Sequence, residues 1–337
     1  MSTNPRQAAQ ASLIPSLLII IVNYRTGQLV VDCLQSLFAG STMPEGAKVI
    51  VADSASGDGS LDVIAQAVER QWENRIMLVE LARNEGFSTA NNCALDQAIA
   101  RFGRPRYVLF LNPDTVVRPG SIQPLIDFLD ARPDAGMVGA RLEDPDGTAQ
   151  ACAFQFPSIL GELESEAKFG PISRLLGRWR VAKPSRDQAY KVDWISGAAM
   201  MVKMKLIDEL GAFDPNFFLY YEEVDLCLRA AKAGWSCWHL PQSRIVHLVG
   251  CSTGVTKRDH PVRRPTYWFV SRRYYFTKHY GALYAFFADL SWLCGHLGWR
   301  CRVLLERRRN GGPPHLLQDF IAHRLIGHKS SSRKLVS

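Results

Sequence analysis

YVLFLNPDTV, residues 107–116, opens as the apolar run of a buried strand and closes on Asn112, Pro113 and Asp114. A protein core has no use for a proline followed by a carboxylate. All three residues are turn formers, so taken alone the stretch says only that a strand stops there. Its neighbours in the chain give it more meaning.

From residue 16 the chain alternates short β-rich runs with helical ones. SLLIIIV (16–22) precedes TGQLVVDCLQSLFAG (26–40), KVIVAD (48–53) precedes GSLDVIAQAVERQ (59–71), and RIMLVEL (75–81) precedes GFSTANNCALDQAIARFG (86–103). YVLFLNPDT then leads to SIQPLIDFLDARP (121–133). Each Val/Ile/Leu run lies between turn signals, and each following segment places apolar residues at helical spacing, as in Leu61, Ile64, Ala65 and Val68. This rhythm predicts an α/β fold, a doubly wound, mostly parallel sheet with crossover helices.

In such sheets ligands bind beyond the carboxyl ends of the strands. Asn23 and Tyr24 end the first strand, Asp53 the second, and Asn112 and Asp114 the fourth, while Arg83 and Asn84 follow the third. Four consecutive strands thus put polar side chains on one edge, which points to a site there. Asp58 and Ser60 in the loop after Asp53 also offer local caps for the next helix.

After about residue 141 the rhythm is lost. RLEDPDGTAQACAFQF (141–156) reads as a hairpin-like region and residues 162–190 as a long mobile connection rich in charge and turn formers. Then come the short apolar run VDWISGAAMMVKM (192–204) and a helix containing Val224, Cys227, Leu228 and Ala231. Acids in that helix's first turn, Glu222, Glu223 and Asp225, are favoured by the helix dipole whether or not they react.

Taken in order, DSASGDGS (53–60), NEGFSTANN (84–92), LFLNPDT (109–115), WISGAAMMVK (194–203), FDPNFFLYYEEVDLCLRAAKAGW (213–235) and HLVGCSTG (247–254) resemble the inverting nucleotide-sugar enzymes of glycosyltransferase family 2, which have a GT-A fold. Within that family the series looks most like bacterial rhamnosyltransferases of surface polysaccharide assembly. It spans about residues 16–285.

The resemblance implies a nucleotide half and an acceptor half, and it gives the residues roles. Asp114 matches the carboxylate at the end of a D-x-D motif, with Asn112 replacing the first Asp, and implies a loosely held Mg2+ or Mn2+ that arrives with the donor. Such a cation offsets the charge developing on a diphosphate leaving group. Asp53 matches the carboxylate that recognises base and ribose, beside Asn23, Tyr24 and Arg25. Arg83 and Asn84 fall near the phosphates with Gly86, whose missing side chain permits close backbone approach, and Asn91 and Asn92 follow on the next helix; for these two the competing reading is a solvated helix face. Phe87 reads as a core anchor. An inverting transfer needs a general base, and the family's position for it is Glu223, with Glu222 and Asp225 as rivals. His247 matches a histidine near metal and pyrophosphate, whereas His239 reads as structural. Trp194, Ser196 and Gly197 match the segment that faces the acceptor, although Trp194 also suits a core.

The net charge of +8 is unevenly spread. Residues 250–337 hold 16 Lys and Arg against 4 Asp and Glu, leaving residues 1–249 with 24 against 28. An acidic main domain with a basic last quarter argues against nucleic acid as partner and for an anionic membrane surface. In the segment 282–309, Leu283, Phe287, Leu290, Cys294, Leu297, Cys301 and Leu304 share one helical stripe and Asp289, His296 and Arg300 another. That helix is too polar to span a bilayer and suits lying in the interface, followed by Arg307, Arg308 and Arg309, while packing on the catalytic domain is the competing reading. Eight cysteines without a C-x-x-C pair argue for a reducing compartment and no zinc framework. No signal peptide is legible at the N-terminus. The expected organisation is a disordered tail (1–14), a catalytic domain (15–250), a helical, membrane-associating extension (251–310) and a basic tail (311–337), the whole cytoplasmic and peripheral to the inner face of the plasma membrane.

The resulting expectation is transfer of L-rhamnose from dTDP-rhamnose to a lipid-linked saccharide in cell-wall or surface polysaccharide synthesis. The alternatives are a UDP-sugar donor, galactofuranose or hexose, and a non-enzymatic nucleotide-binding protein on the same fold. A dehydrogenase is disfavoured because NYRTG, with no G-x-G-x-x-G, follows the first strand.

Overall fold

Strand β1 (Leu17–Asn23) is buried along its whole length, which is why its sequence is an unbroken apolar run. Leu17, Ile19 and Ile21 face a core with helix α1 (Gly27–Phe38), while Leu18, Ile20 and Val22 face the opposite core. The computed structural model describes residues 15–40, 42–250, 262–307 and 312–325. Beside β1 lie β2 (Lys48–Asp53) and β4 (Tyr107–Leu111), with β3 (Ile76–Glu80) outside β2, and all of these pairs are parallel. Helices α2 (Ser60–Gln71) and α3 (Phe87–Phe102) make the crossovers. The alternation in the sequence therefore gives the order β3-β2-β1-β4, with the strand ends Asn23 and Asp53 directly in register.

The second half turns the sheet mixed. Its elements are β5 (Thr115–Val117), α4 (Gln123–Asp130), β6 (Ala135–Glu143), β7 (Ala153–Phe154), α5 (Ile159–Ala167), α6 (Gly170–Leu175), β8 (Tyr190–Val192), β9 (Trp194–Ile195), β10 (Ala199–Lys203), α7 (Met204–Leu210), α8 (Glu222–Lys232) and β11 (Ser236–His247). β10 inserts antiparallel between β4 and β6, and β11 runs parallel to β6 and antiparallel to β5. WHLP (238–241) and RIVH (244–247) belong to this one strand, β11, which has a register shift against β6 between Leu240 and Arg244.

The region 162–190 departs from the expected mobile connection. Residues 159–167 are helix, capped by Ser158, whose Oγ accepts from the Gly161 amide at 3.1 Å. The turn-rich composition hid this because the stabilising partner is distant in sequence. α5 packs on the C-terminal helix α9 (Thr266–Leu305) so closely that a side chain on Gly295 would meet the Leu163 carbonyl at 3.0 Å.

α9 breaks at Gly281, where φ is +83°. Its second half buries Ala288, Asp289, Trp292, Gly295, His296 and Trp299, so of the stripe that looks polar in sequence Asp289 and His296 turn inward while Arg300 stays exposed. Asp289 is paired by Arg272 and Arg324, and His296 Nδ1 lies 3.2 Å from Glu166 Oε2. The apolar stripe stays outside, with Leu283 73% and Leu304 73% exposed. Packing on the domain and presenting an apolar face thus hold together, on opposite sides of one helix. Part of the expected basic tail is also structured: α10 (Leu316–Leu325) stacks Phe320 on Trp292 with ring centroids 3.9 Å apart. The expected tail 1–14, Cys251 and the rest of 251–261, Arg308, Arg309 and 326–337 lie outside the described residues. Among the described residues, no helix is long and apolar enough to cross a membrane.

Candidate active site

The parallel half brings its strand ends together as an ordered polar edge. Asn23, fully buried, donates through Nδ2 to Asp53 Oδ1 at 2.6 Å and lies 3.1 Å from the hydroxyls of Ser56 and Ser60. Its Oδ1 accepts from the Thr26 amide and hydroxyl at 3.0 and 2.8 Å, fixing the start of α1. Asp53 also accepts from Ser56 Oγ at 2.6 Å and from the Ser56 amide at 3.0 Å. Asn23 and Asp53 together therefore organise the loop through 60, and Ser56 is the partner of Asp53 that the motif alone does not reveal. Arg25 sits at φ +58°, held by its amide on Ser56 Oγ at 3.0 Å, with its guanidinium 5.1 Å from the Tyr24 ring. Arg83 is exposed and paired with Glu85 at 2.9 Å. Asn84 Oδ1 accepts from Ser54 Oγ and the Gly86 amide, closing the turn into α3.

Asp114 lies just past β4 and is 1% exposed. The pairing of His247 with Thr115 brings His247 Nε2 to 3.5 Å from Asp114 Oδ1. Asn112 fixes the bend through its backbone, donating to Ala198 and accepting from the Thr115 hydroxyl at 2.8 Å. Among the described residues no three His, Cys, Asp or Glu side chains form a metal cluster.

The acidic segment is pinned to the parallel half of the sheet. The Phe87 amide donates to the Phe218 carbonyl at 2.7 Å. Gly86, at φ +92°, comes so near that a Cβ there would sit 2.2 Å from that oxygen. The close approach expected of Gly86 is thus made to the chain's own acidic segment. Asn92 exchanges two hydrogen bonds with the backbone of Phe213, and buried Asn91 donates to the Phe87 carbonyl at 2.9 Å, so neither lies on a solvated face. Phe87 packs against the core, as read from sequence.

Tyr220 and Tyr221 follow with φ of +69° and +71°. Left-handed backbone at two consecutive non-glycine residues costs about 1–3 kcal/mol each and persists only where surrounding contacts enforce it. Here Ser271 donates to the Leu219 carbonyl at 3.0 Å and Tyr275 packs on Tyr221. The strained pair delivers Glu222 and Glu223 at the start of α8. Burial, with the neighbouring charge of Glu223, pushes the Glu222 carboxyl well above its ordinary value, and burial raises Glu223 to about 7. Oε2 of each is buried without a hydrogen-bond partner.

Asp225 is different. Burial alone would raise it, but hydrogen bonds from His279 and Lys278 and the Arg229 guanidinium hold it at about 2. Its oxygens lie 2.8 Å from His279 Nε2, 2.5 Å from Lys278 Nζ and 2.8 Å from Arg229 Nε. It is the hub of an ion network tying α8 to α9.

Glu223 lines a cavity of about 260 Å³ shared with Trp194, Tyr220, Tyr221 and Trp268. Trp194 stacks on Phe154 at 4.0 Å and donates from Nε1 to the Gln155 carbonyl at 2.8 Å. A Cβ on Gly197 would lie 3.7 Å from Glu223 Cβ, and Ser196 Oγ accepts weakly from the Ala198 amide at 3.3 Å. Trp194 and Gly197 are thus brought to Glu223. Trp268 belongs to an aromatic run, TYWFV, that gives no hint of this role. His239 is buried, with Nε2 3.2 Å from Cys152 Sγ, and burial lowers it to about 4.

The sequence model described as glycosyl transferase family 2 matches residues 18–172. An N-acetylglucosaminyl-diphospho-decaprenol L-rhamnosyltransferase from Mycobacterium tuberculosis is 30% identical over 266 residues, 76% of this chain and 84% of that protein. Rhamnosyltransferase WbbL of Escherichia coli K12 is 25% identical over 165 residues, 48% of this chain and 60% of that one. Mannosyltransferase PcManGT from Pyrobaculum calidifontis, solved with GDP-Man and Mn2+, superposes with a TM-score of 0.55 at 16% identity, over 93% of this chain and 81% of that one, a likeness of fold. With the strand-end edge and acidic segment in place, and a relative of this identity matched over most of its length, the chain belongs to glycosyl transferase family 2 and is a glycosyltransferase.

Proposed function

We propose that the protein transfers L-rhamnose from dTDP-rhamnose to a saccharide carried on a lipid, in surface polysaccharide assembly, by a single displacement that inverts the anomeric carbon. The observation that carries this reading is Glu223: a carboxyl near neutrality, with one buried oxygen unpartnered, on the wall of a cavity. A group poised near the operating pH is what general-base catalysis favours. The acceptor hydroxyl oxygen forms its bond to the sugar C1 as its proton passes to Glu223, and the bond from C1 to the diphosphate breaks with both electrons leaving on the nucleotide. Asp225, engaged by Lys278, Arg229 and His279, has no such freedom, and Glu222 is the more deeply buried of the two adjacent glutamates. The mycobacterial relative, an N-acetylglucosaminyl-diphospho-decaprenol L-rhamnosyltransferase, supports the sugar and the lipid-linked acceptor.

In this reading Tyr24 and Arg25 meet the nucleotide, with Asn23 and Asp53 holding the loop beneath it. Arg83 supplies an exposed cation, and Asn84, Gly86 and Asn91 shape the turn into α3. Trp194, Ser196 and Gly197 face the acceptor. Asp114 and His247 would hold Mg2+ or Mn2+ beside Asn112. One carboxylate and one imidazole fit a cation that completes its shell from substrate phosphates, as the metal-bound complex of the mannosyltransferase supports. When bound, the ion neutralises charge on the departing diphosphate.

The exposed stripe of α9 would rest on an anionic membrane. Each fully buried leucine contributes roughly 1.5–3 kcal/mol, and each nearby Arg about 1 kcal/mol on an anionic leaflet.

Calorimetric titration with dTDP-rhamnose, UDP-galactose and UDP-glucose, each with and without Mg2+, tests the donor. Metal-promoted binding of dTDP-rhamnose alone is expected, and selective binding of a UDP-sugar would replace the donor assignment. Asp114→Asn should weaken donor and metal binding together and lower kcat/KM by about a hundredfold or more.

A further inference from the structure

The cavity beside Glu223 is built largely from elements outside the strand edge. Glu162, Ser165 and Glu166 come from α5, Trp268 and Trp292 from the two halves of α9, and Tyr220 and Tyr221 from the strained turn. At about 260 Å³ it falls below the roughly 300–1,000 Å³ typical of pockets for drug-sized ligands. Its size suits one small ring.

The wall chemistry narrows the choice. Aromatic rings line it alongside the carboxylates of Glu162, Glu166 and Glu223, and none of its lining residues is cationic. Glu162 is held from behind by Arg272, with Nη2 2.7 Å from its Oε2, and Glu166 Oε2 lies 3.2 Å from His296 Nδ1. Their outward lone pairs remain available to accept hydrogen bonds, since an ionised carboxylate has about four acceptor sites. Aromatic faces with carboxylates between them complement a pyranose, whose C–H faces are apolar and whose hydroxyls donate. The same wall repels a phosphate, for want of any cation facing it.

We infer that this cavity is the acceptor-sugar subsite, that it takes one uncharged pyranose ring with the phosphate end of the acceptor outside, and that Trp268 of the C-terminal helix is a specificity-determining residue. The inference rests on the acceptor reading above and deepens it: α9 is a wall of the active site as well as a membrane-facing element. Trp268 is half-buried and its ring meets Phe269 edge-on at 5.1 Å, so its indole is held in place before ligand arrives. The inner side of α9 places Trp292 in the cavity wall while its outer side carries Leu290. A helix is about 10–12 Å across with side chains, so the subsite lies one helix diameter from the proposed membrane face, within reach of a sugar still attached to its lipid.

Saturation-transfer NMR on the full-length protein, with octyl β-N-acetylglucosaminide, methyl α-rhamnoside and methyl β-galactoside as probes, tests this. At least one probe should bind the wild type. Trp268→Ala should weaken that binding tenfold or more, and Trp268→Phe should restore most of it, which a merely structural role would not require. Ser165→Trp, at an exposed helix position whose side chain borders the cavity, should block binding with an unchanged melting temperature. Binding of no probe, or binding indifferent to both Trp268→Ala and Ser165→Trp, overturns the subsite. Donor binding is read separately by calorimetry. Trp268-dependent pyranose binding without any nucleotide-sugar binding would leave the subsite standing and sink the transferase assignment, whereas nucleotide-sugar turnover with an acceptor KM unmoved in Trp268→Ala would do the reverse.

Discussion

Asn92 and Phe213 exchange two hydrogen bonds, from Nδ2 to the carbonyl at 2.7 Å and from the Phe213 amide to Oδ1 at 3.1 Å. The clasp ties α3, which rises from the polar strand-end edge, to the segment that ends in Glu222 and Glu223. The strand-end edge and the acidic segment are therefore tied by one helix, and the spacing between them depends on contacts at Gly86 and Asn92.

Gly86→Ala tests that coupling. Positive φ and a Cβ placed 2.2 Å from the Phe218 carbonyl leave no room without moving backbone. The variant should lose at least about 1–3 kcal/mol of stability by strain, and kcat should fall more than the donor affinity does, because the displaced segment carries the base. Thermal melting with steady-state kinetics checks both. A fully active, equally stable variant would refute the coupling.

Glu223→Gln should lower kcat about a hundredfold or more with donor binding nearly intact. Residual activity above about a tenth would reassign the base. In the wild type the rate should climb as pH rises through about 7, where the carboxyl ionises. Stability runs the other way. The folded carboxyl is raised above its ordinary 4.5, so the folded state holds the proton more tightly and stability falls as pH rises from 4.5 to about 7. Melting curves should show the Gln variant more stable than wild type at pH 8, with the gap closing near pH 4.

Asp225→Asn should behave as a structural lesion. Its folded value of about 2 lies below the ordinary 3.8, so the stabilisation is present above 3.8 and lost as pH falls through 2. Removing the charge strands Lys278, His279 and Arg229 against α8 and should cost on the order of 3 kcal/mol at neutral pH. Denaturant unfolding at pH 7 reads the loss. A variant with unchanged stability but abolished turnover would instead move Asp225 into the chemistry.

Replacing Leu283, Leu290 and Leu297 together by glutamine should abolish sedimentation with phosphatidylserine-containing vesicles while leaving the melting temperature within a degree or two, because these side chains stand on the exposed side of α9. Raising salt should weaken wild-type binding only in part, as the apolar contribution is unscreened. Undiminished vesicle binding by the triple variant would exclude the stripe as the contact.

Much of the site edge was legible because it follows from strand order. An apolar run of strand length followed by a helical period forces parallel pairing, and parallel pairing puts Asn23, Asp53 and Asp114 at one end of the sheet. What could not be read were partners set by loops: Ser56, which shares Asp53 with Asn23, and the contact between Gly86 and Phe218. The helix 159–167 was hidden for the same reason, its polar sequence being stabilised by a distant helix.

The sequence by itself determined the α/β alternation, the polar strand edge and the acidic start of α8, since each depends on side-chain period or on neighbours within a few residues. Only the tertiary structure decided among the acids of α8. Asp225 meets Arg229 of α8 and Lys278 and His279 of α9, whereas Glu223 is left beside a cavity with an unpartnered oxygen. Tertiary packing also buried Asp289 and His296 of α9 and exposed the leucines, because Arg272 and Arg324 pair with Asp289 and Glu166 meets His296 inside, while Arg300 of the same stripe stays at the surface. Burial and charge pairing depend on residues brought together by the fold, and no local spacing in the chain encodes which side of a helix finds its counterions.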